Sequence, residues 1–201
     1  NNVEAREALK RLYTQTSNFA ALAELLRQDL DRLAADDAPG RAAVLREIAN
    51  LYRDKQKNEQ ALVATLVQLT NVDPNDIAAL RELIEIYEHL GRFRDLLICQ
   101  QKLAEISTDP AEKAELYRSS ARRWADQFSN VQNAVDAFEK LLAVLPGDPE
   151  AVSKLKELYT KRRAYKQLFD LESAEAERLA PGPERRAVLT ELAKLAAERL
   201  D

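Results

Sequence analysis

At 201 residues, with 46% apolar and 32% charged positions, the chain has the make-up of a folded protein and too many Leu, Ile and Val for a disordered one. A net charge of −4 offers no basic field able to hold a phosphate backbone, so nucleic acid is not an expected partner. No run approaches eighteen apolar residues and NNVEAREALK is not a leader sequence, so membrane insertion is not expected. The single cysteine, Cys99, fits a reducing, cytoplasmic setting. Absence of methionine and an Asn start read as a piece of a longer protein.

The elements repeat. A bulky aromatic ends a Leu-Tyr-like phrase at Tyr13, Tyr52, Tyr87, Trp124 and Tyr159, at intervals of 35 to 39 residues, and Ala196 continues the series. Prolines 39, 74, 110, 146, 149, 181 and 183 all fall between these phrases, where a helix can stop and restart. The units run approximately 1–38, 39–73, 74–109, 110–147 and 148–182, with a terminal helix over 183–201. Within each, apolar residues three and four apart mark a helical face, as in Leu45, Ile48, Ala49 and Tyr52 or Leu80, Leu83, Ile84 and Tyr87.

Each unit is interrupted once more, at TSN (16–18), KQKN (55–58), LGR (90–92), FSN (128–130) and KRR (161–163). The spacing predicts two helices per unit joined by a short turn. AADDAP (34–39) is expected to end one helix and cap the next. DPND (73–76), DPAE (109–112) and DPEA (148–151) are expected to place Asp at the N-cap and Pro first in the helix, with Asp76 and Glu112 at the third helical position. Units one, three and five add a second aromatic at the start of helix two, Phe19, Phe93 and Tyr165, followed by Leu22, Leu96 and Leu168; units two and four do not. Tyr13 to Tyr87 is 74 residues and Tyr87 to Tyr159 is 72, the mark of a duplicated pair of hairpins. One hairpin cannot bury its own apolar face, so the predicted fold is an all-α solenoid of stacked hairpins.

These residues resemble the tetratricopeptide repeat (TPR) family. Unit four matches best, with Tyr117, Ala121 and Trp124 in its first helix and Ala134, Phe138, Leu141 and Pro146 after one inserted residue. Units one and five depart, placing Lys10 and Lys156 where a small residue lets the helices touch. The odd units resemble long bacterial TPR arrays. The resemblance implies one repeat domain, a right-handed α-solenoid of five helix pairs plus a terminal helix. It also implies a non-catalytic scaffold without a cofactor, holding a partner protein or peptide on a concave face lined by first helices. On that face the resemblance places Arg46, Asn50, Arg53, Arg81, Glu85, Arg118 and Arg122. A carboxylate clamp of the chaperone-binding kind is excluded, because Glu82, Glu115 and Ser119 stand where its other ligands would be.

The arginines can take acidic partner surfaces bidentately, or be neutralised by Glu47, Glu82 and Glu85 within or between helices. His89 has no second histidine or cysteine partner, and Cys99 falls between Leu96 and Leu103 on an apolar face, a core position. No nucleophile, base and oxyanion set or phosphate loop is present, so an enzyme is not expected. The alternatives are a helical-repeat RNA reader, disfavoured by charge, and a regulatory or oligomerisation arm of a larger enzyme. Leu189, Leu192, Ala193, Ala196 and Leu200 keep the last helix apolar, which points to continuation of the array or self-association there.

Overall fold

Capping side chains and prolines set where each helix begins. The computed structural model describes residues 2–200 and contains, in chain order, α1 (Asn2–Gln15), α2 (Phe19–Arg32), α3 (Ala38–Leu51), α4 (Glu59–Val72), α5 (Ile77–His89), α6 (Phe93–Ile106), α7 (Pro110–Arg122), α8 (Val131–Val144), α9 (Pro149–Arg162), α10 (Tyr165–Arg178) and α11 (Pro183–Arg199). No strand occurs among the described residues. Pro110, Pro149 and Pro183 each occupy the first helical position, where the missing N–H costs nothing. Asp37, Asp109 and Asp148 accept from backbone N–H groups of the helices they precede, as the prolines and aspartates predicted.

One start differs from expectation. In DPND the cap is Asp76, which accepts from Ala79 N–H, and not Asp73, which closes the C-terminus of α4. Pro74 sits in a turn closed by the Asp76 N–H on the Asp73 carbonyl, so Asp76 lies outside the helix whose third position it was expected to fill.

Every hairpin turn contains one residue at positive φ: Ser17, Lys57, Gly91, Ser129 and Arg163. In odd hairpins the carbonyl of the phrase-ending aromatic accepts from the N–H five residues on, Tyr13 from Asn18, Tyr87 from Arg92 and Tyr159 from Ala164. In even hairpins it accepts from six residues on, Tyr52 from Asn58 and Trp124 from Asn130. The additional residue is wound into a π-helical turn at Tyr52–Gln56 and Arg123–Gln127. Phe19, Phe93 and Tyr165 open α2, α6 and α10 as expected but are half-buried, whereas Tyr52, Tyr87 and Tyr159 are buried. Trp124 is half-buried, its ring centroid 5.2 Å from that of Phe128.

Two compact units divide the chain, one ending at Ile106 and one beginning at Ser107. In the first, each of α1 to α6 packs on its neighbours along the chain, and Leu26, Leu45, Ile48, Leu66, Leu80 and Leu96 are fully buried between them. In the second, α7 to α11 stack in the same way around Ala121, Ala134, Phe138, Leu141, Ala151 and Leu155. A core built mainly from chain neighbours is the hairpin stacking the repeats called for.

Candidate functional site

In the first unit the predicted lining residues sit on α3, the π-turn after it, and α5. Arg46 reaches from α3 to the next hairpin, its Nε donating to Asp76 (2.8 Å) and its Nη2 to Asp73 (2.7 Å). Arg53 donates through Nε to Glu82 (2.6 Å), through Nη2 to the second oxygen of Glu82, and through Nη1 to Asn50 Oδ1 (2.6 Å). Arg81 and Glu85 are exposed on α5.

The second unit repeats the arrangement. Arg118 on α7 donates to Asp148 (2.8 Å) and to Glu115 (2.7 Å), and Arg122 grips both oxygens of Glu150 at 2.6 and 2.7 Å. Arg122 holds the Glu150 carboxyl below the usual glutamate range. Burial acts to raise Asp148, but the Ala151 N–H and Arg118 outweigh it and leave its pKa lowered.

Neutralisation between helices thus prevails on this face. Of the partners expected from sequence, Glu82 takes that role, for Arg53 in the turn after α3. Asp73, Asp76, Asp148 and Glu150 carry the rest. The signal lay in the spacing: Arg46 and Arg118 each stand 30 residues before an N-capping aspartate. The arginine side chain is the more exposed partner for Arg46 with Asp76, 47% against 7%, and for Arg122 with Glu150, 53% against 28%, whereas Arg118 is less exposed than Glu115 and Glu150.

Lys10 and Lys156 leave their own mark. Lys10 Nζ lies 3.3 Å from Asp29, 3.7 Å from Glu7 and 3.9 Å from Glu47; Lys156 Nζ lies 3.3 Å from Glu172. At the equivalent place in α3 and α7, Ala49 and Ala121 are buried. The lysine hairpins, α1 with α2 and α9 with α10, pack less closely than α3 with α4 or α7 with α8. Open grooves of about 430 Å³ beside Lys10 and about 530 Å³ beside Lys156 result.

Cys99 is buried and its thiol is pushed up to about 11 by that burial. Among the described residues no group of three His, Cys, Asp or Glu is placed to hold a metal ion, and no helix is long and apolar enough to cross a membrane.

Successive helical hairpins stacked on their neighbours define a helical repeat protein. No family model and no curated protein sequence matches the chain. Among solved structures it is similar to a tetratricopeptide repeat protein from Parabacteroides merdae, at 15% identity over 97% of this chain and 73% of that one, with a TM-score of 0.43. It is also similar to the TPR-like repeats of a putative kinesin light chain from Podosopora anserina, at 20% identity over 98% and 96% with a TM-score of 0.38. Pseudomonas aeruginosa pilF gives 18% identity over 98% and 86% with a TM-score of 0.39. Likeness at this level transfers no activity or partner.

Proposed function

We propose that the chain is a non-catalytic scaffold that binds acidic segments of a partner protein on the first helices of each unit. Arg46, Asn50, Arg53, Arg81 and Glu85 supply the contacts in the first unit, and Arg118 and Arg122 in the second. The observation that supports this reading is the outward bias of the arginine pairs. Each of Arg46 and Arg122 engages its carboxylates through Nε and Nη2 and shows more of its surface than they do. An incoming carboxylate can therefore add to the exposed Arg46 side chain or, at Arg122, exchange with Glu150 at little cost, because exposed ion pairs contribute only about 0–1 kcal/mol each. Fluorescence anisotropy with labelled Asp/Glu-rich peptides tests it, with Lys-rich peptides and single-stranded RNA as controls. Binding that weakens with salt and with Arg53→Ala or Arg122→Ala is expected. Binding of RNA in preference to acidic peptide, or indifference to both substitutions, refutes the reading.

Self-association is a second reading, favoured by α11. Its Leu192 is buried but Leu189 and Leu200 are 46% and 39% exposed, and α1 likewise exposes Leu9 and Leu12. In α3 the residues in the register of Leu9 and Leu12 are Ile48 and Leu51, both buried. Sedimentation velocity across a hundredfold concentration range should show mass rising with concentration and falling with Leu189→Glu; a strict monomer excludes this reading.

A further inference from the structure

Seventy-two residues separate Arg46 from Arg118, Asn58 from Asn130, Asp76 from Asp148 and Tyr87 from Tyr159. The same offset carries α4 (Glu59–Val72) onto α8 (Val131–Val144) and α6 (Phe93–Ile106) onto α10 (Tyr165–Arg178). It also carries the positive-φ residues Lys57 and Gly91 onto Ser129 and Arg163. Residues 38–106 are thus repeated by 110–178 without insertion or deletion.

A repeat of two hairpins can be divided in two ways, odd then even or even then odd. The ion pairs mark the even-then-odd step. Within 38–106 the guanidinium of Arg46, on the first helix of an even hairpin, grips Asp76, the cap of the first helix of the odd hairpin that follows. Within 110–178 Arg118 grips Asp148, the cap of α9, in the same manner. In hairpin one the register of Arg46 is filled by Glu7, and thirty residues on stands the α3 cap Asp37, a carboxylate facing no matching guanidinium. The first compact unit ends at Ile106, where the first even-odd pair ends.

We propose that the chain is built from two copies of a four-helix block, α3–α6 and α7–α10, each closed by one arginine clasping the N-cap carboxylate of the block's third helix, and each opening as one body. The clasped aspartate links two events that are separate elsewhere in the chain, starting a helix and docking it on the preceding hairpin. Arg46 and Arg118 are then positioning residues of the scaffold first.

Native-state hydrogen–deuterium exchange of the full chain, read peptide by peptide, tests the proposal. In the unsubstituted protein α3 to α6 should exchange together and more slowly than α1–α2, and α7 to α10 together and more slowly than α11. Arg46→Ala should speed exchange of α3 to α6 together several-fold and leave α7 to α11 unchanged; Arg118→Ala should do the same for α7 to α10 alone. Asp76→Asn keeps the cap, because Asn caps as well as Asp, and removes the charge. It should reproduce Arg46→Ala, and the double variant should go no further than either single one. Exchange of α1–α4 as one body, a rise spread evenly over the chain, or additive effects of Arg46→Ala and Asp76→Asn would overturn the proposal.

Discussion

Two substitutions of opposite sign isolate the backbone conformation of the hairpin turns. Gly91 has φ +67°, and a Cβ built there would meet nothing nearer than Phe93 Cε2 at 4.0 Å, so Gly91→Ala adds left-handed strain without a clash. Arg163 fills the same place in hairpin five at φ +55°, exposed to solvent. Left-handed geometry costs an L-residue roughly 1–2 kcal/mol, and glycine gives back about 0.5–1 kcal/mol through its freer unfolded chain. Gly91→Ala should therefore destabilise by about 1 kcal/mol and Arg163→Gly stabilise by about 0.5–1 kcal/mol. Urea titrations followed by far-UV circular dichroism read both, and at this chain length 1 kcal/mol corresponds to roughly 2–4 °C in Tm. Two compact units need not unfold in one step, so each transition should be fitted separately. A neutral Gly91→Ala, or an Arg163→Gly that weakens the protein, refutes the argument that backbone strain at this one residue sets turn stability.

Phe138 is fully buried among α7, α8 and α9 residues, and Phe138→Ala should cost about 3–5 kcal/mol in the same titrations. Asp148→Asn retains the cap and loses the charge, so it should cost about 1–2 kcal/mol at pH 7, less than Asp148→Ala, which loses both. Because folding lowers the Asp148 pKa, the ionised carboxylate contributes in full above the unfolded aspartate value of about 4 and is lost as pH falls through the folded value beneath it. Stability curves of the unsubstituted protein and Asp148→Asn should accordingly converge below that pH, and a gap that persists in acid would rule out the ion pair as its source. Cys99, raised to about 11, should stay unmodified by a disulfide reagent at pH 8 until urea unfolds the first unit; rapid native labelling would contradict its burial.

Periodicity made most of the fold legible. Proline confinement, one turn per unit and the alternation of the second aromatic placed every hairpin, because each follows from a local requirement on φ or on a missing N–H. The misplaced cap in DPND shows where local reasoning ends. The shared Asp-Pro phrase sets Pro74 beside Pro149, yet the counterpart of Pro74 at the 72-residue offset is Pro146, which lies in the equivalent turn before the cap. Ile77 holds the first helical position in α5 where Pro149 holds it in α9. Two aspartates three residues apart are both adequate caps, and Arg46 grips both, so the local pattern does not decide between them.

The first-helix face was less legible, for a reason of scale. Helical i,i+3 and i,i+4 pairs are visible in sequence, and Arg118 with Glu115 is one of them. Pairs between successive first helices span 28 to 30 residues, a distance set by turn length and stacking that no local pattern encodes. Once formed, they change what the face offers. An unpaired arginine row would attract any polyanion, whereas a row of guanidinium–carboxylate pairs is nearly neutral and responds mainly to a carboxylate that arrives in register with the exposed edges. Recognition by such a face gains little from each contact and depends on several made together along consecutive helices. Loss of one arginine should therefore weaken an acidic partner modestly, while reversing two charges on neighbouring helices should abolish its binding.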